Sequence, residues 1–335
     1  MSGAPAWLKR LVTVKPIEAP VSIGLDIGSS AIKAVALARR KGTGPRPVVG
    51  HKMVPLPDRA DQAASAIKTA IEGLSVPLGS TAVSVSVSGP SVIMRVVEMP
   101  TMNPVELKKA LPFEAQRYLP FPVQDVMLDG ELLGSIDAKK SWVLVVACKK
   151  DVIDGRLSLI KQAGLEPTFI DVDALALTNS FLDRLPDQRP GATIALMNLG
   201  AQVTSIVIFK GATPYLVRDI PWGSERLIKD LAQQAGKETA EIKQSLAQAE
   251  SANELLDSLK VVCESLLVEL QLSFDYFENQ FGQPPESVWV TGGLSQSKLF
   301  AESLKLQLTQ VVNAWNPHAD LPGQFSVAYG LALRG

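Results

Sequence analysis

Two stretches decide how this chain reads: Val21–Ala38, VSIGLDIGSSAIKAVALA, and Ala192–Phe209, ATIALMNLGAQVTSIVIF. Each is an apolar run, a Gly-containing turn and a second apolar run, a pattern that predicts a β-hairpin. Each turn places a Gly two positions after an acid or its amide. The first is Asp26-Ile27-Gly28-Ser29-Ser30, the second Asn198-Leu199-Gly200-Ala201-Gln202. Two such hairpins half a chain apart predict a duplicated fold with two related lobes.

Turns of this kind have a chemical use. Gly lets the backbone approach a phosphate, and successive N–H groups point into one concavity. Ser29 and Ser30 add hydroxyl donors, and Asp26 can hold a magnesium ion through water. Lys33 either points back at a phosphate or faces solvent. A third element is Gly292-Gly293, between the strand Val288–Thr291 and a helix from about Gln296. A Gly pair allows a flat purine ring to approach the backbone, and a helix N-terminus favours negative charge. Each feature alone is also an ordinary tight turn. All three in this order are hard to explain that way.

Working outward, Thr81–Ser88 (TAVSVSVS) alternates strictly and predicts a half-buried strand with Ser84, Ser86 and Ser88 on a polar face. A helix at about 61–74 carries Ala64, Ile67, Ile71 and Leu74 on one side. Asn103-Pro104-Val105-Glu106 is a helix start, with a capping side chain, Pro in the first turn and a Glu that reaches back. That helix is expected to end near Leu119–Pro122. Strands follow at about 126–134 and 142–148, then a helix capped by Asp151 and closed by Gly164. A long helix over about 253–281 carries a stripe from Leu255 to Phe277 that reads as core. FSVAYGLALRG closes the chain as a helix. Strands alternate with helices, so the class is α/β. Residues 1–20 read as a tail. Within it Trp7-Leu8-Lys9-Arg10-Leu11-Val12 either docks on a membrane surface or partner, or is a plain lead-in.

Composition narrows the function. Over 335 residues, 33 basic and 34 acidic side chains leave a net charge of -1, so nucleic acid is not an expected partner. The apolar share of 46% supports a sizeable core. Cys148 and Cys263 sit in apolar runs and read as buried thiols, not a disulfide framework. His51 and His318 stand alone, which argues against a zinc site and a Ser-His-Asp triad. No apolar run approaches the ~20 residues of a membrane span. The chain reads as cytoplasmic.

These residues resemble the actin-like ATPase superfamily, whose two phosphate loops and adenosine loop come in this order. Within it the chain resembles the PilM family, the FtsA-related actin-like proteins of type IV pilus assembly. The matching stretches are GLDIGSSAIKAVAL (24–37), RVVEMPTMNPVELKKALPFEAQRYLPFPVQDVMLD (95–129) and VLVVACKKDVIDGRLSLIKQAGLEPTFIDVDALAL (143–177). RDIPWGSERL (218–227), LSFDYFENQ (272–280), VWVTGG (288–293) and GLALR (330–334) complete the set. EAQRYLPFP is the most family-specific, because general actin-like kinases and chaperones lack it.

The resemblance implies an α/β actin-like ATPase fold with a nucleotide cleft. Residues 21–90 and 153–188 would form the first lobe, with 91–152 as a small inserted α/β subdomain. Residues 190–323 would form the second lobe, and 324–335 would return to the first. ATP and magnesium would sit in the cleft. Their contacts would come from Asp26, Gly28, Ser29, Ser30, Lys33, Asn198, Gly200, Ala201, Gln202, Gly223, Glu225, Gly292 and Gly293, with Asp26 toward the metal. The cytoplasmic N-terminal peptide of a PilN-type inner-membrane protein would bind a groove between the first lobe and the insert. Ser84, Ser86, Ser88, Glu114, Arg117 and Tyr118 are the candidates for that groove, while Glu114 and Arg117 read equally as a solvated helix face. The pilus motor ATPase and a homo-oligomer are further expected contacts. The protein would then sit at the inner membrane through partners.

Three positions depart from the pattern. The second phosphate loop usually begins with Asp and here has Asn198, which carries no charge and cannot act as a base. A general base is typically worth about 10²–10⁴ in rate. Gln202 stands where small residues or hydroxyls are commoner, and Ser224 replaces the second Gly of a pair. The expectation is ATP binding with slow or absent turnover, and no catalytic residue is assigned. Asp171 and Asp173 either orient a water or serve as a strand end and helix cap. The leading function is a nucleotide-bound adaptor linking a membrane-anchored pilus component to cytosolic motor machinery. The alternatives are an active ATPase or kinase, and an FtsA-like cytoskeletal anchor. The last is disfavoured because the chain stops at Leu333-Arg334-Gly335 without a C-terminal amphipathic helix.

Overall fold

Strands β1 (Val21–Ile27) and β2 (Ala31–Ala38) form an antiparallel hairpin, with Asp26 facing Lys33 across it. β3 (Val48–Pro55), helix α1 (Ala63–Glu72) and β4 (Thr81–Val87) follow. The chain then makes β5 (Val92–Pro100), α2 (Pro104–Ala115), β6 (Val126–Ser135) and β7 (Lys140–Lys149). It continues through α3 (Lys150–Gln162), β8 (Phe169–Val172) and α4 (Asp173–Asp183). The computed structural model describes residues 20–39, 45–77, 81–184, 191–247 and 253–335. The expected tail motif Trp7–Val12 lies outside them.

The second half runs β9 (Thr193–Leu199), β10 (Thr204–Lys210), β11 (Thr213–Ile220), α5 (Ser224–Ala235) and α6 (Thr239–Ala247). It ends with α7 (Asn253–Phe281), β12 (Ser287–Gly292), α8 (Lys298–Gln307), β13 (Val311–Ala314) and α9 (Ser326–Ala332). Two units result. The first holds the described residues up to Ile27 together with Ala31–Arg184 and Val327–Gly335. The second holds Gly28–Ser30 and the described part of 185–326.

The duplication is visible in the sheets. The first unit's main sheet has the order β3-β2-β1-β4-β8, the second's β11-β10-β9-β12-β13. In both, a hairpin is extended by an antiparallel third strand on one side and by parallel strands on the other. Parallel additions need crossover connections, supplied here by α1, α3, α7 and α8. A third sheet, β5-β7-β6, is antiparallel throughout and carries α2 on one face.

In the first unit, Ile23, Leu25, Val83 and Val85 pack with Ile67, Ile71 and Ile160 of α1 and α3. The opposite face of β1 meets α9. A Cβ on Gly24 would lie 1.9 Å from the Ala328 carbonyl oxygen, and one on Gly330 would lie 1.7 Å from that of Ala176. Small residues let α9 lie directly on β1 and α4. Arg46 ties this end down by donating to the carbonyls of Ala332 and Gly335 and to Ser22 Oγ. In the second unit the α7 stripe from Leu255 to Phe277 is core, packed with Met197, Ile206, Trp222 and Phe300.

Three local expectations are corrected. β4 is not half-buried: it lies between β1 and β8, and both Ser84 and Ser86 are buried. Asp151 does not cap α3, which begins at Lys150; its carboxylate accepts from the Val152 N–H inside the first turn. α2 ends at Ala115 and passes into a turn to Tyr118, earlier than the proline run suggested. Its start is as read: the Asn103 side chain accepts from the Val105 and Glu106 N–H groups, and Glu106 accepts from the Asn103 N–H at 2.9 Å.

Candidate functional site

In the first unit the hairpin places Asp26 at the end of β1, buried, with its carboxylate 2.8 Å from Lys33 Nζ. The cross-strand register brings the two together, so Lys33 points at Asp26 and not into solvent. Burial pulls the Lys33 ammonium down, but the Asp26 charge, its hydrogen bond and the Asp173 charge outweigh that and raise it. Ser29 and Ser30 are exposed at the hairpin tip.

Asp173 joins this cluster from the first residue of α4. Loss of surrounding water pushes its carboxyl up to about 7, and the Asp26 carboxylate adds to the push. Hydrogen bonds from Ser86 and Ser88 and the Arg156 charge act the other way. Ser86 in β4 and Ser88 just beyond it therefore serve Asp173. Ser84 and Ser86 present no surface to a docking peptide, which corrects their placement in the groove; Ser88 at the strand end is exposed. Asp171 is settled differently. It is buried, pairs with Arg334 Nε at 2.6 Å and accepts from the Val172 N–H, so it is a structural anchor for the closing segment.

In the second unit Asn198 ends β9 and leads into Gly200–Gln202. This loop is clamped by the start of α5. The Ser224 N–H donates to the Gly200 carbonyl at 3.0 Å and the Glu225 N–H to that of Ala201 at 2.9 Å. Gln202 Nε2 reaches Glu225 at 3.2 Å. A Cβ on Gly223 would lie 2.3 Å from the Ala201 oxygen, which is why Gly is needed there. The Gly at this position is thus explained by packing on the loop, while Glu225 and Gln202 form its exposed rim.

The Gly pair divides its roles. Gly292 has φ +90, and a Cβ on it would lie 2.5 Å from the Leu199 carbonyl oxygen and 2.7 Å from Asn198 Oδ1. A Cβ on Gly293 would meet nothing within 4 Å. The first Gly locks β12 against β9, and the second offers open backbone. Thr291 and Ser295 brace this turn: Thr291 Oγ1 lies 2.6 Å from Ser326 Oγ, and Ser295 Oγ donates to the Gly292 carbonyl at 2.7 Å. The sequence reading missed both; hydroxyl residues flanking the Gly pair were the available signal.

On the third sheet, Glu114 and Arg117 form an i,i+3 ion pair at 3.5 Å with Arg117 largely exposed, while Tyr118 packs on the core under α2. Below them a cavity of about 370 Å³ opens, lined by Phe121, Pro122, Gln124, Asp125, Lys149, Lys150 and Asp151. Lys149 Nζ sits 4.4 Å over the Phe121 ring, and Lys150 Nζ donates to the Gln124 carbonyl at 2.7 Å. Its lining comes from two of the family-matching stretches, 95–129 and 143–177.

Two carboxyl groups beside a lysine suit a water-mediated magnesium ion, because that ion keeps most of its hydration shell. They form no ready-made cage: among the described residues no group of three metal-ligating side chains gathers. The exposed hydroxyl tip and the open Gly293 backbone fit phosphate and purine. No helix among the described residues is long and apolar enough to cross a membrane.

Comparison with known proteins accounts for this arrangement. A solved structure of the PilM-PilN type IV pilus biogenesis complex is 26% identical, covers 93% of this chain and 98% of that one, and superposes with TM-score 0.79. The ethanolamine utilization protein EutJ from Carboxydothermus hydrogenoformans covers 98% of each chain at 14% identity and TM-score 0.56. A ROK family glucokinase from Streptomyces griseus, solved with glucose and AMPPNP, covers 93% of this chain and 98% of its own at 16% identity and TM-score 0.52. The last two share the actin-like ATPase fold and no more. The family model of the type IV pilus assembly protein PilM matches residues 24–335, taking in both hairpins, the α2 sheet and the closing helix. The chain therefore belongs to the PilM family of type IV pilus assembly proteins.

Proposed function

We propose that this protein is a nucleotide-binding adaptor of type IV pilus assembly that holds the cytoplasmic N-terminal peptide of a PilN-type inner-membrane protein. One observation carries the reading: the likeness to the PilM-PilN complex spans nearly the whole of both chains, the family-specific insert included. Membrane contact is then made through the partner, and the adaptor passes it to cytosolic motor components.

The peptide is proposed to run past Arg117 and Tyr118 and to reach the cavity at Phe121 and Lys149. For ATP, Gly28, Ser29, Ser30 and Lys33 are proposed to face phosphate oxygens. Lys33 neutralises phosphate charge once it leaves Asp26. Gly200–Gln202 are likewise proposed to face phosphate, with Glu225 at their rim and Gly293 open to a purine. A bound magnesium ion supplies charge neutralisation, and Asp26 is the group to hold it through water. Turnover is proposed to be slow. Asn198 has no charge to draw off a proton, and Asp171 is committed to Arg334. Asp173 alone remains to orient a water, and two serines already hold it.

Calorimetry with a PilN-type N-terminal peptide tests the adaptor reading. Binding is expected, and it weakens at least about tenfold in Arg117→Ala/Tyr118→Ala. No binding with or without ATP overturns it. Fast magnesium-dependent phosphate release from the purified protein overturns slow turnover.

A further inference from the structure

α7 has two apolar faces. One is the core stripe. The other is exposed: Val261, Val268, Leu272 and Tyr276 are each 53–57% accessible. At 100° per residue these four fall within an arc of about 80°, and at 1.5 Å per residue they run about 22 Å along the helix. A scattered exposed Val needs no explanation, but a straight row of four on one helix does. One flank of the row is net acidic, with Glu264, Asp275 and Glu278 exposed and Lys260 on the same flank paired with Asp257. The row therefore suits an apolar helix carrying positive charge.

The chain contains such a segment. Trp7, Leu8, Leu11 and Val12 recur at helical spacing around Lys9 and Arg10, with no acidic residue before Glu18. We infer that the exposed stripe of α7 docks the basic apolar segment Trp7–Val12 of a second copy of this chain. Apolar residues meet the Val261–Tyr276 row, and Lys9 and Arg10 meet its acidic flank. The two surfaces differ, so the contact is heterologous. It closes into a ring or continues as a chain of copies, depending on its rotation. A patch this short makes the association weak and concentration-dependent.

Sedimentation velocity on the full chain over a concentration series tests this. Reversible self-association is expected, falling as salt screens the charged flank. Leu272→Lys and, separately, Trp7→Ala/Leu8→Ala each weaken it about tenfold or more. Leu272 lies on the exposed face of α7, and circular dichroism checks that folding is kept in each variant. Glu264→Lys/Asp275→Lys weakens association, and Lys9→Glu/Arg10→Glu in the same chain restores it. A labelled peptide of residues 1–19 binds the parent chain and not Leu272→Lys. A chain that stays monomeric throughout, a charge swap that rescues nothing, or a peptide that binds Leu272→Lys equally well overturns the inference.

Discussion

Gly292 and Gly293 are identical in composition and opposite in duty. A side chain on Gly292 must adopt φ +90 and strike β9, whereas one on Gly293 enters open space. Gly292→Ala is therefore expected to cost about 2 kcal/mol or more in urea unfolding. Gly293→Ala stays within about 0.5 kcal/mol of the parent, yet loses ATP affinity about tenfold by titration. Asp173 yields a pH prediction. Its folded pKa of about 7 lies above the unfolded value of about 3.9. The raised acid contributes stability that is full below the unfolded value and is lost as pH rises through the folded one. The melting temperature should therefore drop between about pH 4 and pH 7. In Asp173→Asn that drop shrinks by about 3 °C or more. An unchanged pH profile in the variant excludes the burial of this carboxyl.

At the scale of elements, α2 shows how far local rules reach. Asn103, Pro104 and Glu106 specify its start from sequence alone, because capping is settled within four residues. Asn103→Ala should cost about 1 kcal/mol in a urea titration, while Glu106→Gln keeps the box closed and costs less. The end of α2 and the start of α3 were not legible. The Pro run at 120–122 marks where a helix cannot continue, not where it stops, and Asp151 is a good cap residue that falls two positions past the actual N-cap, Lys149. β4 fails for a different reason. Its period of two was read correctly, but periodicity cannot say whether the polar face meets water or a half-buried carboxyl such as Asp173.

At the scale of the whole chain, the sheet order repeats and the last helix belongs to the first unit. Gly24 and Gly330 make that return possible. Gly330→Ala, whose Cβ has no room against Ala176, should unseat α9. Hydrogen exchange would then show α9 opening well before β1 and β4, while the second unit keeps its protection. Equal protection of α9 in variant and parent would count against close packing as the role of Gly330.

The sequence by itself determined the class, the paired hairpins, the core stripe of α7 and the positions of the three Gly turns. Each of these rests on spacing or on the backbone freedom of Gly, and both are local properties. Only the tertiary structure decided which acid does what. It gave Asp171 to Arg334, set Asp173 beside Asp26 and turned Ser86 and Ser88 toward it. It also aimed Lys33 at Asp26 and left a second face of α7 in water. The Lys33–Asp26 pair is set locally by the hairpin register, but the acid assignments depend on strand order and helix crossings, which bring together residues more than eighty positions apart. No period or spacing in the chain encodes such a meeting.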